Sequence, residues 1–136
     1  MRKVGFIVLM LALILMPFVQ ARGPYRLQAI TQFNLVADKG DVRTITCQYC
    51  HVSPNGGAPW NAFGNEVRAN FKGNIGEALY ETLKAMKDSD GDGYADVLEV
   101  FAGTLPGDAN SKPLVTPQFL MQSLEKAGGL EIYKPK

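Results

Sequence analysis

The chain has 136 residues, 46% of them hydrophobic and 20% charged, with 14 basic against 13 acidic side chains. That length sets one domain with a modest core. A net charge of +1 with no basic cluster gives no footing for a nucleic-acid partner.

Residues 1–21 predict a secretory signal. Arg2 and Lys3 form a positive start, residues 4–16 are apolar, Pro17 interrupts them, and Val19-Gln20-Ala21 offers small residues for cleavage. The apolar run is short for a membrane-spanning helix, although an uncleaved anchor is the alternative reading. No cysteine stands at the cleavage point, so a lipid anchor is not expected. Cleavage would leave residues 22–136 as a single domain outside the cytoplasmic membrane, periplasmic or secreted, with no stable membrane insertion.

Residues 26–37 carry Leu27, Ile30, Phe33, Leu35 and Val36 at mostly helical spacing, with a short strand over residues 33–37 as the competing reading. Asp38-Lys39-Gly40-Asp41 predicts a turn. Thr46 is placed to cap a brief helix over the next residues.

Those residues are Cys47-Gln48-Tyr49-Cys50-His51, which contain both cysteines and the sole histidine of the chain. C-x-x-C-H is the attachment pattern for c-type haem. The two thiols suit thioether links to the ring, and the adjacent imidazole suits the iron. A redox dithiol would need a βαβ setting, which the sequence lacks. A zinc site would need a fourth ligand, and no further Cys or His exists to supply it. A structural disulfide would leave His51 without a role.

Pro54 and Asn55-Gly56-Gly57 end the brief helix and open a loop. Trp60, Phe63, Val67 and Phe71 then fall on one face of a helix. This stripe reads first as core. Trp60 and Phe63 follow the cysteine motif so closely that they are also the expected haem contacts. The small residues of 55–64 read as a wall that allows close approach. Ile75, Leu79, Leu83 and Met86 repeat the spacing on a next helix, over residues 75–87.

That helix runs into Asp88-Ser89-Asp90-Gly91-Asp92-Gly93-Tyr94-Ala95-Asp96-Val97-Leu98-Glu99, which fits the calcium-loop pattern D-x-[DN]-x-[DN]-G-x5-E at every fixed position. Calcium takes six to eight oxygen ligands. Asp88, Asp90 and Asp92 supply carboxylates, Tyr94 its backbone carbonyl, Asp96 an oxygen directly or through water, and Glu99 both oxygens. The plain alternative is a solvated acidic loop, whose like charges repel unless a cation neutralises them. A short helix over residues 96–102 follows, ended by residues 103–108. Thr116 and Pro117 start a last helix through Ala127, Gly128-Gly129 stops it, and the remaining residues predict a loose tail.

Two family resemblances follow. Through Cys47, Cys50 and His51 the chain resembles monohaem c-type cytochromes. The resemblance implies a small, mainly α, cytochrome c-like domain around one covalent haem c, with His51 as proximal ligand. It also implies single-electron transfer to redox partner proteins outside the cytoplasmic membrane, where bacteria attach this haem. Residues 88–108 resemble the calcium repeats of thrombospondin type 3 modules, though here in a single copy. That calcium motif is foreign to the small class I cytochromes, and so is the lack of a clear methionine loop. Met86 and Met121 are the only methionines beyond the signal, and either is a candidate distal ligand. Met86 sits beside the metal loop. Met121 lies at a distance from His51 similar to that in class I cytochromes, yet inside an expected helix. An open iron, a lysine or the new N-terminal amine are the other options. An open iron would favour binding of a small ligand such as CO or NO. A third reading makes the calcium loop primary, in a cell-surface structural module. No general base pairs with a nucleophile, so an enzyme is not expected.

Overall fold

A computed structural model describes residues 23–35 and 47–136. The expected signal, the turn at residues 38–41 and the Thr46 cap lie outside them. The described fold is mainly α: α1 (Gly23–Gln32), α2 (Ala62–Asn70), α3 (Ile75–Lys84), α4 (Asp96–Ala102) and α5 (Pro117–Lys126), with 3-10 turns at Cys47–Tyr49 and Gly129–Tyr133. Among the described residues there is no strand, only one antiparallel bridge between His51 and Trp60. None of the described helices is long and apolar enough to cross a membrane.

The expected face of α1 is partly corrected. Ala29 is buried on it with Phe33 and Leu35 just beyond, but Leu27 is 64% exposed. Residues 33–35 form the helix exit, not the start of a strand. Asn34 takes a left-handed conformation at φ 50°, and the Leu35 N–H donates back to Ile30 at 3.0 Å. Asparagine is one of the few residues that tolerate this cap.

α3 is the central helix and packs against α1, α2 and α4. Its Gly76, Ala78, Leu79, Tyr80, Thr82 and Leu83 are all buried. Asn74 caps its start by accepting from the Glu77 N–H at 3.2 Å. α4 covers the expected residues 96–102 and ends at Gly103, whose φ of 78° suits glycine. α5 starts at the Thr116 cap with Pro117 in its first turn, and it buries Leu120 and Leu124 against α4.

The loose tail is overturned. Gly128 and Gly129 do end α5, but both take positive φ and turn the chain back. Tyr133 ends 3% exposed, packed edge-on to Phe33 with ring centroids 5.8 Å apart. The Gln32 carboxamide donates to the carbonyls of Gly76 and Tyr133, both at 2.9 Å. The tail is held because a buried amide needs acceptors and an aromatic side chain fills the gap between α1 and α3. A row of rings, Tyr133, Phe33, Tyr49 and Phe63, then runs through the core to the cysteine motif. Each such pair adds about 0.5–1.5 kcal/mol beyond area burial.

Candidate functional site

The C-x-x-C-H residues form one tight turn. The Cys47 carbonyl accepts from the N–H groups of Cys50 at 3.3 Å and His51 at 2.9 Å. Cys50 is partly buried against the core, and Cys47 is half-buried. Both cysteines are free. Burial, and then the neighbouring Cys47, push the Cys50 thiol up to about 12.

Asn61 ties the turn to α2. Its Nδ2 donates to the carbonyls of Gln48 at 2.7 Å and Tyr49 at 3.1 Å, and its backbone N–H donates to Cys50 at 3.1 Å. Its Oδ1 caps α2 by accepting from the Gly64 N–H at 2.8 Å. Gly64 is required by space: a Cβ there would stand 2.0 Å from the Cys50 carbonyl oxygen. The expected close approach of small residues in 55–64 is seen at this position.

His51 is oriented by its own loop. Its Nδ1 lies 2.6 Å from the Gly57 carbonyl oxygen. A carbonyl only accepts, so Nδ1 carries a hydrogen, and in the neutral imidazole Nε2 then has the lone pair. That tautomer is the one an Nε2 metal ligand needs. The loop is closed by the Val52 N–H donating to Pro59 at 3.1 Å. Trp60 packs against the imidazole with centroids 4.0 Å apart and the rings tilted by 38°, and the Arg68 guanidinium lies 5.1 Å over the indole. Trp60 is therefore beside the expected iron ligand. Phe63 is fully buried beneath the motif, edge-on to Tyr49. The Tyr49 hydroxyl is buried without a partner, and burial raises its pKa.

The acidic loop forms the second part. The Asp96 N–H donates to the Lys87 carbonyl at 2.7 Å and closes it. Asp88 organises it: Oδ1 accepts from Gly91 at 2.7 Å and Asp92 at 3.1 Å, and Oδ2 from Gly93 at 2.8 Å. Gly93, at φ 101°, makes the turn that a side chain would strain. Asp90 Oδ1 and Asp92 Oδ1 each accept one backbone N–H. Ligand atoms of Asp88, Asp90 and Asp92 lie within 4.8 Å of one another.

Three buried carboxylate oxygens among the described residues have no hydrogen-bond partner: Asp90 Oδ2, Asp92 Oδ2 and Glu99 Oε2. They belong to three of the residues expected to bind calcium. An unpaired buried carboxylate oxygen is costly, and a cation is the group that satisfies several at once. Glu99 is fully buried and is pushed up to about 9, first by burial and then by Asp90 and Asp92. Burial raises Asp90 as well.

Asp96, the expected direct or water-bridged ligand, makes hydrogen bonds of its own within the loop. Its two oxygens accept from the Ser89 N–H at 2.9 Å and the Ser89 hydroxyl at 2.6 Å. It braces the loop from behind, and burial lifts it to about 6 against those bonds. Tyr94 forms the outer wall, its hydroxyl donating to Val115 at 3.0 Å.

The distal candidates are apart in kind. Met86 is 43% exposed and left-handed at φ 53°, one residue past the cap of α3. Met121 lies within α5, partly buried against the core. A cavity of about 550 Å³ opens beside Phe33, Leu35, Phe101 and Tyr133, but no residue of the cysteine turn or the acidic loop lines it.

Sequence reasoning missed Asn61, Ser89 and Thr104, whose hydroxyl donates to Glu99 Oε1 at 3.3 Å. The expected helix face put Trp60 inside the helix and so hid the cap: the helix starts at Ala62, with Asn61 as its cap, and Trp60 and Phe71 fall outside it. The grip of Asn61 on the cysteine turn, and the braces from Ser89 and Thr104, depend on tertiary placement and have no sequence signal. No protein-family model, no curated protein and no solved structure matches the chain.

Proposed function

We propose that the chain is a monohaem c-type cytochrome that carries single electrons outside the cytoplasmic membrane, with a structural calcium site. The observation that carries this reading is the state of His51. Its Nδ1 is spent on the Gly57 carbonyl, next to two free thiols on one turn, and its Nε2 is left for a metal. A redox dithiol or a structural disulfide does not need that orientation. Cys47 and Cys50 would hold haem c covalently, His51 would be the proximal ligand, and Trp60 would steady the imidazole. The haem supplies the electron chemistry. The protein sets its potential through the axial ligands, burial and hydrogen bonding.

Calcium is the second cofactor of the proposal. Asp88, Asp90, Asp92, the Tyr94 carbonyl and Glu99 would hold it, with Asp96 bracing the loop. The three unpartnered oxygens support this reading. Partners would be redox proteins of the periplasm or exterior.

A second reading is a haem module with an open iron that binds a small ligand. The exposure of Met86 favours it, since its side chain is not packed toward any interior site. One experiment tests both. Optical spectra of the purified full chain, expressed with a c-type haem attachment system, are recorded ferric and reduced, with and without CO. A low-spin spectrum with a sharp reduced α band and no response to CO is the expected result for a carrier. A high-spin spectrum that shifts with CO would move the assignment to ligand binding. Absence of covalent haem would overturn both.

A further inference from the structure

We propose that Asn61 is the positioning residue of the haem-attachment turn and that Gly107, at the far end of the calcium unit, is its seat; the inference rests on the haem reading of Cys47, Cys50 and His51. A 3-10 turn leaves its carbonyls without regular partners. Here the carbonyls of Gln48, Tyr49 and Cys50 all accept from Asn61, two from its carboxamide and one from its backbone N–H. The same carboxamide accepts from Gly64 and so is locked in one orientation. Only an amide supplies donor and acceptor at this place. Aspartate would turn a second oxygen toward two carbonyls. Serine would cap α2 but has no second donor for the turn. Asn61 is 8% exposed, so water does not replace what it gives.

Gly107 fixes where that carboxamide sits. A Cβ on residue 107 would lie 2.5 Å from Asn61 Cγ, 2.6 Å from Oδ1 and 2.7 Å from Nδ2. Glycine is needed here for room. The turn bearing Gly107 is anchored to the calcium unit. Thr104 donates its N–H to the Glu99 carbonyl at 2.9 Å and its hydroxyl to Glu99 Oε1 at 3.3 Å. The Asp108 N–H closes onto Leu105 at 3.1 Å. The backbone between the two thiols is thus held by one side chain, and that side chain rests on a residue eight positions past the last calcium ligand.

The test compares the wild-type chain with Asn61→Ser, which keeps a helix cap, and Gly107→Ala, which pushes the carboxamide aside. The haem-free, reduced full chain is alkylated with iodoacetamide, and the two cysteines are followed by peptide mass. In the wild type Cys50, partly buried against the hydrophobic core where Cys47 is not packed, should react more slowly than Cys47. Each variant should bring the two rates together while far-UV circular dichroism stays unchanged. The double variant should be no worse than Asn61→Ser alone, since both act through one contact. Protection of Cys50 that survives both substitutions overturns the proposal, as do fully additive effects. Covalent haem is then counted in chains expressed with an attachment system, and both variants should hold less than wild type. Wild type without haem overturns the haem reading alone, because the alkylation pattern still judges the clamp.

Discussion

Glu99 has no exposed surface, one unpaired oxygen and two aspartates close enough to oppose its charge. With its pKa pushed up to about 9, it holds a proton at pH 7 in the cation-free protein. A calcium ion in the loop must displace that proton. Calorimetric titration at pH 7 in two buffers of different ionisation enthalpy should report release of about one proton per calcium bound. Identical enthalpies in the two buffers would show that no proton leaves Glu99 when calcium binds. The same shift sets the pH dependence of the cation-free fold. A carboxyl whose folded pKa is raised favours folding when protonated. Its contribution is complete below its ordinary value of 4.5 and is lost as pH rises through about 9. Asp96 acts in the same direction, from 3.8 up through about 6. The melting temperature in chelator should therefore fall as pH rises from 5 to 9, and saturating calcium should flatten that slope.

At the scale of the helices, the termini separate what the sequence reveals from what it hides. α4 was legible over 96–102 because acidic residues open it and Gly103 closes it. α5 was legible through Thr116 and Pro117. The left-handed exits at Asn34 and Met86 were hidden, since neither is the glycine that signals such a cap. The tail was misread because Gly128-Gly129 marks the end of a helix but not the direction taken after it. At the site, the acidic loop and the C-x-x-C-H turn were visible as spacing, whereas Asn61 gripping three carbonyls from 11 to 13 residues away required the folded chain. Met86 yields a prediction of its own. A left-handed residue with a side chain costs about 1–2 kcal/mol, so Met86→Gly should stabilise the chain by about 1 kcal/mol in chemical denaturation. The same variant separates the axial-ligand readings. A low-spin spectrum that survives Met86→Gly excludes Met86 from the iron, and a change to high spin assigns it there.

Across the whole molecule, the acidic loop joins α3 to α4, and the two helices are in contact, with Leu79, Leu83, Val97 and Val100 buried in one core. Without a cation, the carboxylates of residues 88–99 oppose one another at the junction that holds the two helices in register. A ligand that binds only the folded state stabilises it by mass action, by about 2.7 kcal/mol when present at about a hundred times its dissociation constant. For a domain of this size that corresponds to a shift on the order of 10 °C in melting temperature. Excess chelator should lower the melting temperature by that amount, and calcium should restore it. Asp90→Asn should reduce the response, because Asp90 Oδ2 is one of the unpaired oxygens. The effect should also reach the cysteine turn, because Thr104 links Glu99 to the segment that seats Gly107 against Asn61. Chelator at a temperature well below melting should therefore speed alkylation of Cys50 more than that of Cys47. An unchanged melting curve in chelator would remove calcium from the structural role. A lowered melting temperature with Cys50 still fully protected would confine the cation to its own loop.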